Sequence, residues 1–459
     1  MKRTNAGVNQ ITEGVIWKQL LYFFFPILLG TFFQQLYNTA DAIVVGQFVG
    51  KEALAAVGGS TGTIINLFVG FFVGLSSGAT VIISQHYGAG RAGEVSRAVH
   101  TAMALAILGG AGITLVGVVG APWALRAIGT PDEIMGYALT YMRVYFLGMI
   151  PSLIYNMGTG ILRAIGDSKR PLYFLIASCL TNIALDLLFV VGFHWEVFGA
   201  AFATVLSQIL SACLVAVCLL RSDTPCRVMP KEIRIHAALL GRILRIGFPA
   251  GIQSVVYSVS NIIIQSSINS FGTDTIAAWT AYGKIDSLFW MVSGAFGISI
   301  TTFVGQNYGA GRYDRMKKSV RVCLGMTFAA SAAISLLLLL SGHFVYRLFT
   351  DDLAVIELGM QILTFLVPTY CTFVCVEILS GAIRGTGKSL VPMLLTCFGV
   401  CGLRMIWILG VVPFYHTLKM VLFSYPMTWS VTSVLFIIYY LHCKKRWNAP
   451  QDMPAQPMS

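Results

Sequence analysis

The chain has 459 residues, of which 56% are hydrophobic and only 11% charged, where an ordinary soluble domain carries about 25% charged residues. That composition excludes a water-facing surface over most of the molecule. The net charge of +12 then reads as loop charge beside a membrane, not as a face for nucleic acid.

Ten cysteines are scattered without a CxxC pair. Cys371 with Cys375, and Cys397 with Cys401, are four apart and share a helix face, which suits small polarizable core residues. The seven histidines are not grouped with them, so no metal cofactor is expected there. Met1–Lys18 lacks an apolar stretch ending in a small-residue cleavage site, so no removable signal peptide is expected.

Cutting the chain at charged or turn-rich stretches predicts twelve apolar spans, approximately 15–48, 53–86, 95–120, 133–160, 170–193, 197–220, 240–270, 275–307, 318–342, 353–382, 389–412 and 418–442. Lipid cannot satisfy open backbone groups, so the spans are helices and the fold class is an all-α membrane protein. Span one carries Gln34, Tyr37, Asn38 and Asp41 at i, i+3, i+4 and i+7, one continuous helix face. Span two carries Gly70, Gly74 and Gly78, a small-residue ridge for close helix packing. It ends in Gln85-His86-Tyr87-Gly88-Ala89-Gly90-Arg91. Gly88–Gly93 formally fits GxGxxG but follows a membrane span, so it reads as a tight turn.

Span five carries Asn182 and Asp186 one turn apart, and span six carries Thr204 and Gln208 at the same spacing. The polar stretch Arg221–Arg245 follows. Span seven offers the stripe Gln253, Tyr257 and Asn261. Span eight holds Lys284 and Asp286, which are two apart and do not face each other on a helix. Glu377 in span ten is open to two readings, a second functional acid or an ion-pair partner for Arg404 of span eleven. Gly385-Thr386-Gly387-Lys388-Ser389 resembles the end of a phosphate-binding loop, but Ala382 stands where that motif needs its first glycine, so this too reads as a turn.

Lysines and arginines fix the expected topology. With the N-terminus inside, cytoplasmic segments hold 24 of the 31, outer loops hold Lys51, Arg126, Arg347 and Lys419, and Arg143, Lys284 and Arg404 lie within spans. This is a strong positive-inside bias, and an even span number returns the C-terminus to the cytoplasm. The expected location is the plasma (inner) membrane, where lipid is the surrounding partner.

An internal repeat organises the chain. Gln85–Arg91 recurs as Gln306-Asn307-Tyr308-Gly309-Ala310-Gly311-Arg312, shifted by 221. The same shift carries Gly160-Ile161-Leu162-Arg163 onto Gly381-Ala382-Ile383-Arg384, Gly166 onto Gly387, and Pro171 onto Pro392. Pro26 and Asn38 match Pro249 and Asn261 at a shift of 223. The expected organisation is a six-helix half over residues 1–220, a cytoplasmic linker over 221–239 and a six-helix half over 240–459. Six helices per copy give the halves the same sense in the membrane.

The ionisable residues within spans are the candidate site, because a charge at the bilayer centre costs at least ~2.5–3.5 kcal/mol. At 1.5 Å per residue, Asp41, Asp186 and Thr204 each lie roughly 12 Å below an outer turn. Two carboxylates, a carboxamide and a hydroxyl thus share one level of the first half. Such a group holds a proton or a small hard cation on oxygen ligands. The competing reading makes each residue a separate hydrogen-bonded contact between helices. In the second half the repeat places Ile264, Leu403 and Trp407 where the first has Asp41, Asn182 and Asp186.

The twelve-span tandem repeat, the first-helix segment Pro26…Gln34-Gln35-Leu36-Tyr37-Asn38-Thr39-Ala40-Asp41 and the paired Gln-x-Tyr-Gly-Ala-Gly-Arg turns resemble the multidrug and toxic compound extrusion (MATE) family over nearly the whole chain. The resemblance is to prokaryotic members, nearest the branch that includes DNA-damage-inducible ones. It implies two six-helix lobes in a V and antiport of organic, cationic or amphipathic compounds and drugs against H⁺ or Na⁺. It also implies a cation site at Asp41, Asn182, Asp186 and Thr204.

Substrate-path candidates are Gln34, Tyr37, Asn38, Gln208, Gln253, Tyr257, Asn261, Glu377 and Arg404. The chain departs from the family's other bacterial branch in having no acid in span seven and only Glu377 in span ten. No cofactor beyond the coupling ion is expected, the partner is a small organic molecule, and the chain is expected to act as a monomer. Two alternatives are a flippase for lipid-linked sugars, which needs a strongly cationic cavity, and a membrane-embedded enzyme, for which no HExxH or intramembrane aspartate pair is present.

Overall fold

Long apolar runs give thirteen helices, besides a single 3-10 turn at Pro230–Glu232, in the computed structural model, which describes residues 11–447, and no strand occurs among them. The helices are α1 (Ile16–Phe48), α2 (Lys51–Gly88), α3 (Ala92–Ala127), α4 (Asp132–Leu147), α5 (Met149–Ala164), α6 (Lys169–Gly192), α7 (Glu196–Leu220), α8 (Ala237–Asn269), α9 (Thr273–Gly309), α10 (Tyr313–Arg347), α11 (Leu353–Gly385), α12 (Leu390–Gly410) and α13 (Leu418–Arg446). Eleven of them are long and apolar enough to cross a bilayer. The remaining predicted span is α4 and α5 together, interrupted at Gly148, whose N–H turns back to the Tyr145 carbonyl. Twelve crossings therefore require thirteen helices. Lys2 and Arg3, used in the charge count, lie outside the described residues.

The sequence repeat is a backbone repeat. Gly90 and Gly311 have φ of 70° and 69°, a left-handed conformation that costs glycine nothing. Around each the bonds match: Gly90 N to Tyr87 O and Arg91 N to His86 O, then Gly311 N to Tyr308 O and Arg312 N to Asn307 O. This is the 6→1 and 5→2 pattern that satisfies the last carbonyls of a helix. Both glycine-rich motifs are thus turns that end helices. Gly166 and Gly387, at φ 96° and 89°, and Gly50 and Gly272, at 125° and 95°, are further matched pairs. α1 and α8 are both 33 residues long and carry Pro26 and Pro249 inside them.

Contacts divide the described chain into two units, one over 21–255 and the other over 11–20 and 256–447. The division falls inside α8, not in the linker at 221–239, and close backbone packing explains why. A methyl group at Gly74 would overlap the backbone of Gly251, and one at Gly78 would overlap the Ile243 carbonyl. Gly247 and Gly251 return the constraint against Leu75 and Phe71. The small-residue ridge of α2 thereby holds the first half of α8 in the first unit.

The lead-in segments show the same crossing. Met229 N–H donates to His100 Nε2 at 2.9 Å, and His236 N–H donates to Thr101 Oγ1 at 3.3 Å, fastening the linker before α8 to α3. In the second unit Arg315 of α10 donates to the carbonyls of Ile11, Glu13 and Gly14, fastening the segment before α1.

Within each unit the second helix of the repeat packs along the fourth: α2 on α5, and α9 on α11. The first unit's core runs through Ile82, Val99, Met142, Phe146 and Ile161. Beside the polar site it continues through Val45, Val57, Tyr141 and Ala200. α9 is the most enclosed of the candidate spans.

Candidate functional site

Four helices of the first unit converge on one buried polar cluster. α1 contributes Asp41, α4 contributes Tyr141, α6 contributes Asn182 and Asp186, and α7 contributes Thr204. Relative exposures are 6% for Asp41, 0% for Asn182 and Asp186, and 1% for Thr204. Tyr141 Oη donates to Asp41 Oδ2 at 3.3 Å. Asp41 Oδ1, both carboxylate oxygens of Asp186 and both polar atoms of Asn182 are buried without a hydrogen-bond partner among the described residues.

The charge of Asp41 acts directly on Asp186, and Tyr37 lies within electrostatic reach of both. Thr204 donates its hydroxyl back to the Ala200 carbonyl at 3.1 Å and lies within hydrogen-bonding reach of Tyr37. The α-helical part of α6 ends at Asp186, and a π-helical turn follows over Leu187–Gly192. Such turns recur at functional sites because the extra residue re-aims the side chains beside it.

Asp41 and Asp186 are thus near enough to interact, Tyr37 links them to Thr204, and Asn182 lies one turn before Asp186 on α6. The donor set is hard oxygen throughout, which suits a proton or Na⁺ and not a soft metal. Among the described residues no group of three or more His, Cys, Asp or Glu side chains forms a metal site, in keeping with only two carboxylates here.

The other candidates divide. Tyr37 faces Thr204 and Tyr145, while Gln34 and Asn38 are exposed on α1. Gln208 lies against Tyr145 and Gly148. The sequence reading missed Tyr141 and Tyr145, whose rings stack with centroids 6.1 Å apart. Their i, i+4 spacing was the available signal.

The second unit holds a cavity of about 520 Å³, lined in part by Tyr257, Asn261, Asp286, Glu377 and Arg404. Gln253 belongs to the first unit and is not among its walls. Asp286, which looks isolated in sequence, is held by three donors: Tyr370 Oη at 2.6 Å, Trp290 Nε1 at 2.6 Å and Tyr282 Oη at 3.3 Å. Tyr282 and Trp290 stand one turn to either side of it, a signal the sequence contained.

Glu377 and Arg404 do not form the ion pair that one reading allowed. Arg404 stacks its guanidinium on Tyr425, 4.1 Å from the ring centroid, and donates Nη2 to Thr428 Oγ1 at 3.3 Å. Glu377 feels the charge of Arg384, two turns along α11. A π-helical turn at Cys397–Gly402 immediately precedes Arg404 and turns it inward.

The family described as MatE matches the chain twice, over residues 26–188 and 249–409. The chain belongs to the MATE family. The two matches begin 223 residues apart and end 221 apart, so they trace the same tandem repeat as the residues. MATE proteins form a multidrug efflux transporter family, not an enzyme family.

One similar protein is the probable multidrug resistance protein YoeA of Bacillus subtilis (strain 168), 28% identical over 434 residues that cover 93% of each chain. Another is the FAD transporter of Shewanella oneidensis, 23% identical over 74% of this chain and 76% of its own length. Among solved structures, a multidrug resistance MATE transporter in its outward-facing conformation covers 97% of this chain and 99% of its own, with TM-score 0.88 and 24% identity. That likeness shows the two-lobed MATE fold. A flippase cavity rich in cations finds no support among the described residues: Arg143 and Lys284 are exposed, and Arg404 is the one basic residue in the cavity wall.

Proposed function

We propose that this MATE protein is a monomeric antiporter of the plasma membrane that exports organic, cationic or amphipathic compounds in exchange for an inward-moving H⁺ or Na⁺. Both termini lie on the cytoplasmic side in this reading. Asp41, Asn182, Asp186 and Thr204 hold the ion.

The observation that carries the reading is the set of unpartnered buried polar atoms on Asp41, Asn182 and Asp186. A buried carboxylate with unsatisfied oxygens is disfavoured as a bare anion, and a second one within electrostatic reach makes it more so. A proton removes one charge. Na⁺ neutralises one and draws the carboxamide oxygen and the Thr204 hydroxyl into its shell.

The protein's part in the exchange follows from those residues. Ion loading relieves repulsion between Asp41 and Asp186 and lets α1 and α6 approach. Release to the cytoplasm restores the repulsion and frees the polar face of α1, with Tyr37, Asn38 and Gln34, for substrate. Exchange requires ion and substrate to prefer different conformations, so loading must weaken substrate binding.

The test is affinity for a fluorescent organic cation in detergent, measured against pH with and without Na⁺. The parent should bind more weakly as acid or Na⁺ loads the site, and Asp186→Asn should lose most of that dependence. Superimposable profiles for the two proteins would make Asp186 structural and remove the proposed ion site.

A further inference from the structure

The second unit's cavity contains two opposite charges that do not neutralise each other. Arg404 is only 3% exposed, yet among the described residues no carboxylate lies within 4.0 Å of it, and its Nε is buried without an acceptor. Its guanidinium stacks on the Tyr425 ring and donates to the Thr428 hydroxyl, neither of which carries charge. Leaving a buried guanidinium unpaired is costly, so such a group is normally completed by an anion.

Asp286 is not that anion. Its oxygens already accept from Tyr370, Trp290 and Tyr282. Glu377, on the wall with Arg404, forms no ion pair with it; the charge that acts on Glu377 is that of Arg384 on its own helix. Tyr257 of α8 lies within electrostatic reach of both charges. The protein therefore holds a cation and a carboxylate apart across one cavity, each with capacity for a ligand group.

The walls between them are aromatic. Trp279 and Tyr425 have centroids 6.0 Å apart, and Trp290 meets Phe373 edge-on at 4.8 Å. A cavity of about 520 Å³ falls within the range that encloses a drug-sized molecule.

We infer that this cavity binds an aromatic zwitterion, with its carboxylate on Arg404, its ammonium group on Glu377 and its ring against Trp279 and Tyr425. A planar guanidinium matches a carboxylate through paired N–H donors, and Nε is one of the two that form the fork. The ammonium finds a carboxylate together with ring faces, which attract cations. A simple cation satisfies Glu377 and leaves Arg404 bare; a simple anion does the reverse. The inference extends the export reading by assigning a substrate class to a site in the second unit, apart from the ion site.

The experiment uses the purified full-length protein in detergent, without any gradient, so its outcome does not depend on the coupling mechanism. Isothermal titration compares three probes of one shape: 2-naphthylalanine (zwitterion), its amide (cation) and its N-acetyl derivative (anion). The zwitterion should bind about tenfold or more tighter than either, because each analogue leaves one buried charge unanswered. Arg404→Gln should bring the zwitterion down to the level of the amide, and Glu377→Gln should bring it down to the level of the N-acetyl compound. Should Arg404→Gln not purify as a single folded species, Arg404→Lys takes its place and should lower the preference while keeping its order. Equal affinities for the three probes, no binding of any, or a preference untouched by these substitutions would overturn the inference.

Discussion

At Asp41 and Asp186 the unit of function is a side chain with an atom left unsatisfied. Asp41→Asn and Asp186→Asn each remove a buried charge, which should not hinder insertion of a helix into lipid. Both variants should reach the membrane in normal amounts and fail in coupled efflux. Transport by Tyr141→Phe should persist at a reduced level, since it loses one 3.3 Å bond to Asp41 and none of the oxygen ligands. Glu377→Gln and Arg404→Gln act on side chains that share the neighbour Tyr257 but form no ion pair, so neither should restore the thermal stability lost through the other. Rescue of one by the other in a thermal-shift assay would show a coupling that the geometry lacks.

Asp41, Asn182, Asp186 and Thr204 were legible as residues because polar side chains are conspicuous in apolar runs and depth follows from helix rise. Tyr141 and Tyr145 were not singled out, since tyrosines are common in such helices and only a folded neighbour gives them a role. Asp286 was read only against Lys284, which it does not face: two of its three donors are one turn away, and the 2.6 Å bond from Tyr370 comes from α11, 84 positions along the chain.

Among elements, the long apolar runs were readable and their interruptions were not. Pattern alone joins α4 to α5, because the break at Gly148 is a change of backbone angle and not of hydropathy. The π-helical turns beside Asp186 and Arg404 left no sequence mark either. The α2 ridge, by contrast, announced itself through spacing, and its partners turned out to be Gly247 and Gly251. Gly74→Leu should be severely destabilising or prevent assembly of the first unit, since the new side chain meets backbone that cannot yield; even modest overpacking costs about 1–3 kcal/mol. Gly120→Leu, where a Cβ meets nothing within 4 Å, is the control and should leave the melting temperature nearly unchanged.

Arg315 makes a second element-scale case. Its guanidinium gathers carbonyls of Ile11, Glu13 and Gly14, so Arg315→Ala should free the lead-in to α1. Faster protease cleavage within residues 11–15 is the expected readout, while an unchanged cleavage pattern would show that other contacts hold the segment.

For the whole molecule, the tandem repeat was readable from the 221 and 223 shifts, and the backbone angles at Gly90 and Gly311 give it physical form. The exchange of lead-in segments was not readable, because it depends on contacts of α3 with the linker and of α10 with residues 11–14. The repeat is also unequal in a way that bears on function. The first copy gathers two acids with unsatisfied oxygens in a buried cluster, and the second builds an aromatic cavity whose wall carries both charges.

The central claim is that the acids of the first copy couple an ion gradient to export. The measurement that tests it most directly is export of a fluorescent organic cation in proteoliposomes, driven separately by a pH gradient and by a Na⁺ gradient, for the parent, Asp41→Asn and Asp186→Asn. The parent should transport under at least one of the two gradients, and both variants, incorporated to the same density, should fall to the rate of empty vesicles. Gradient-driven transport at the parent's rate by either variant would contradict the account.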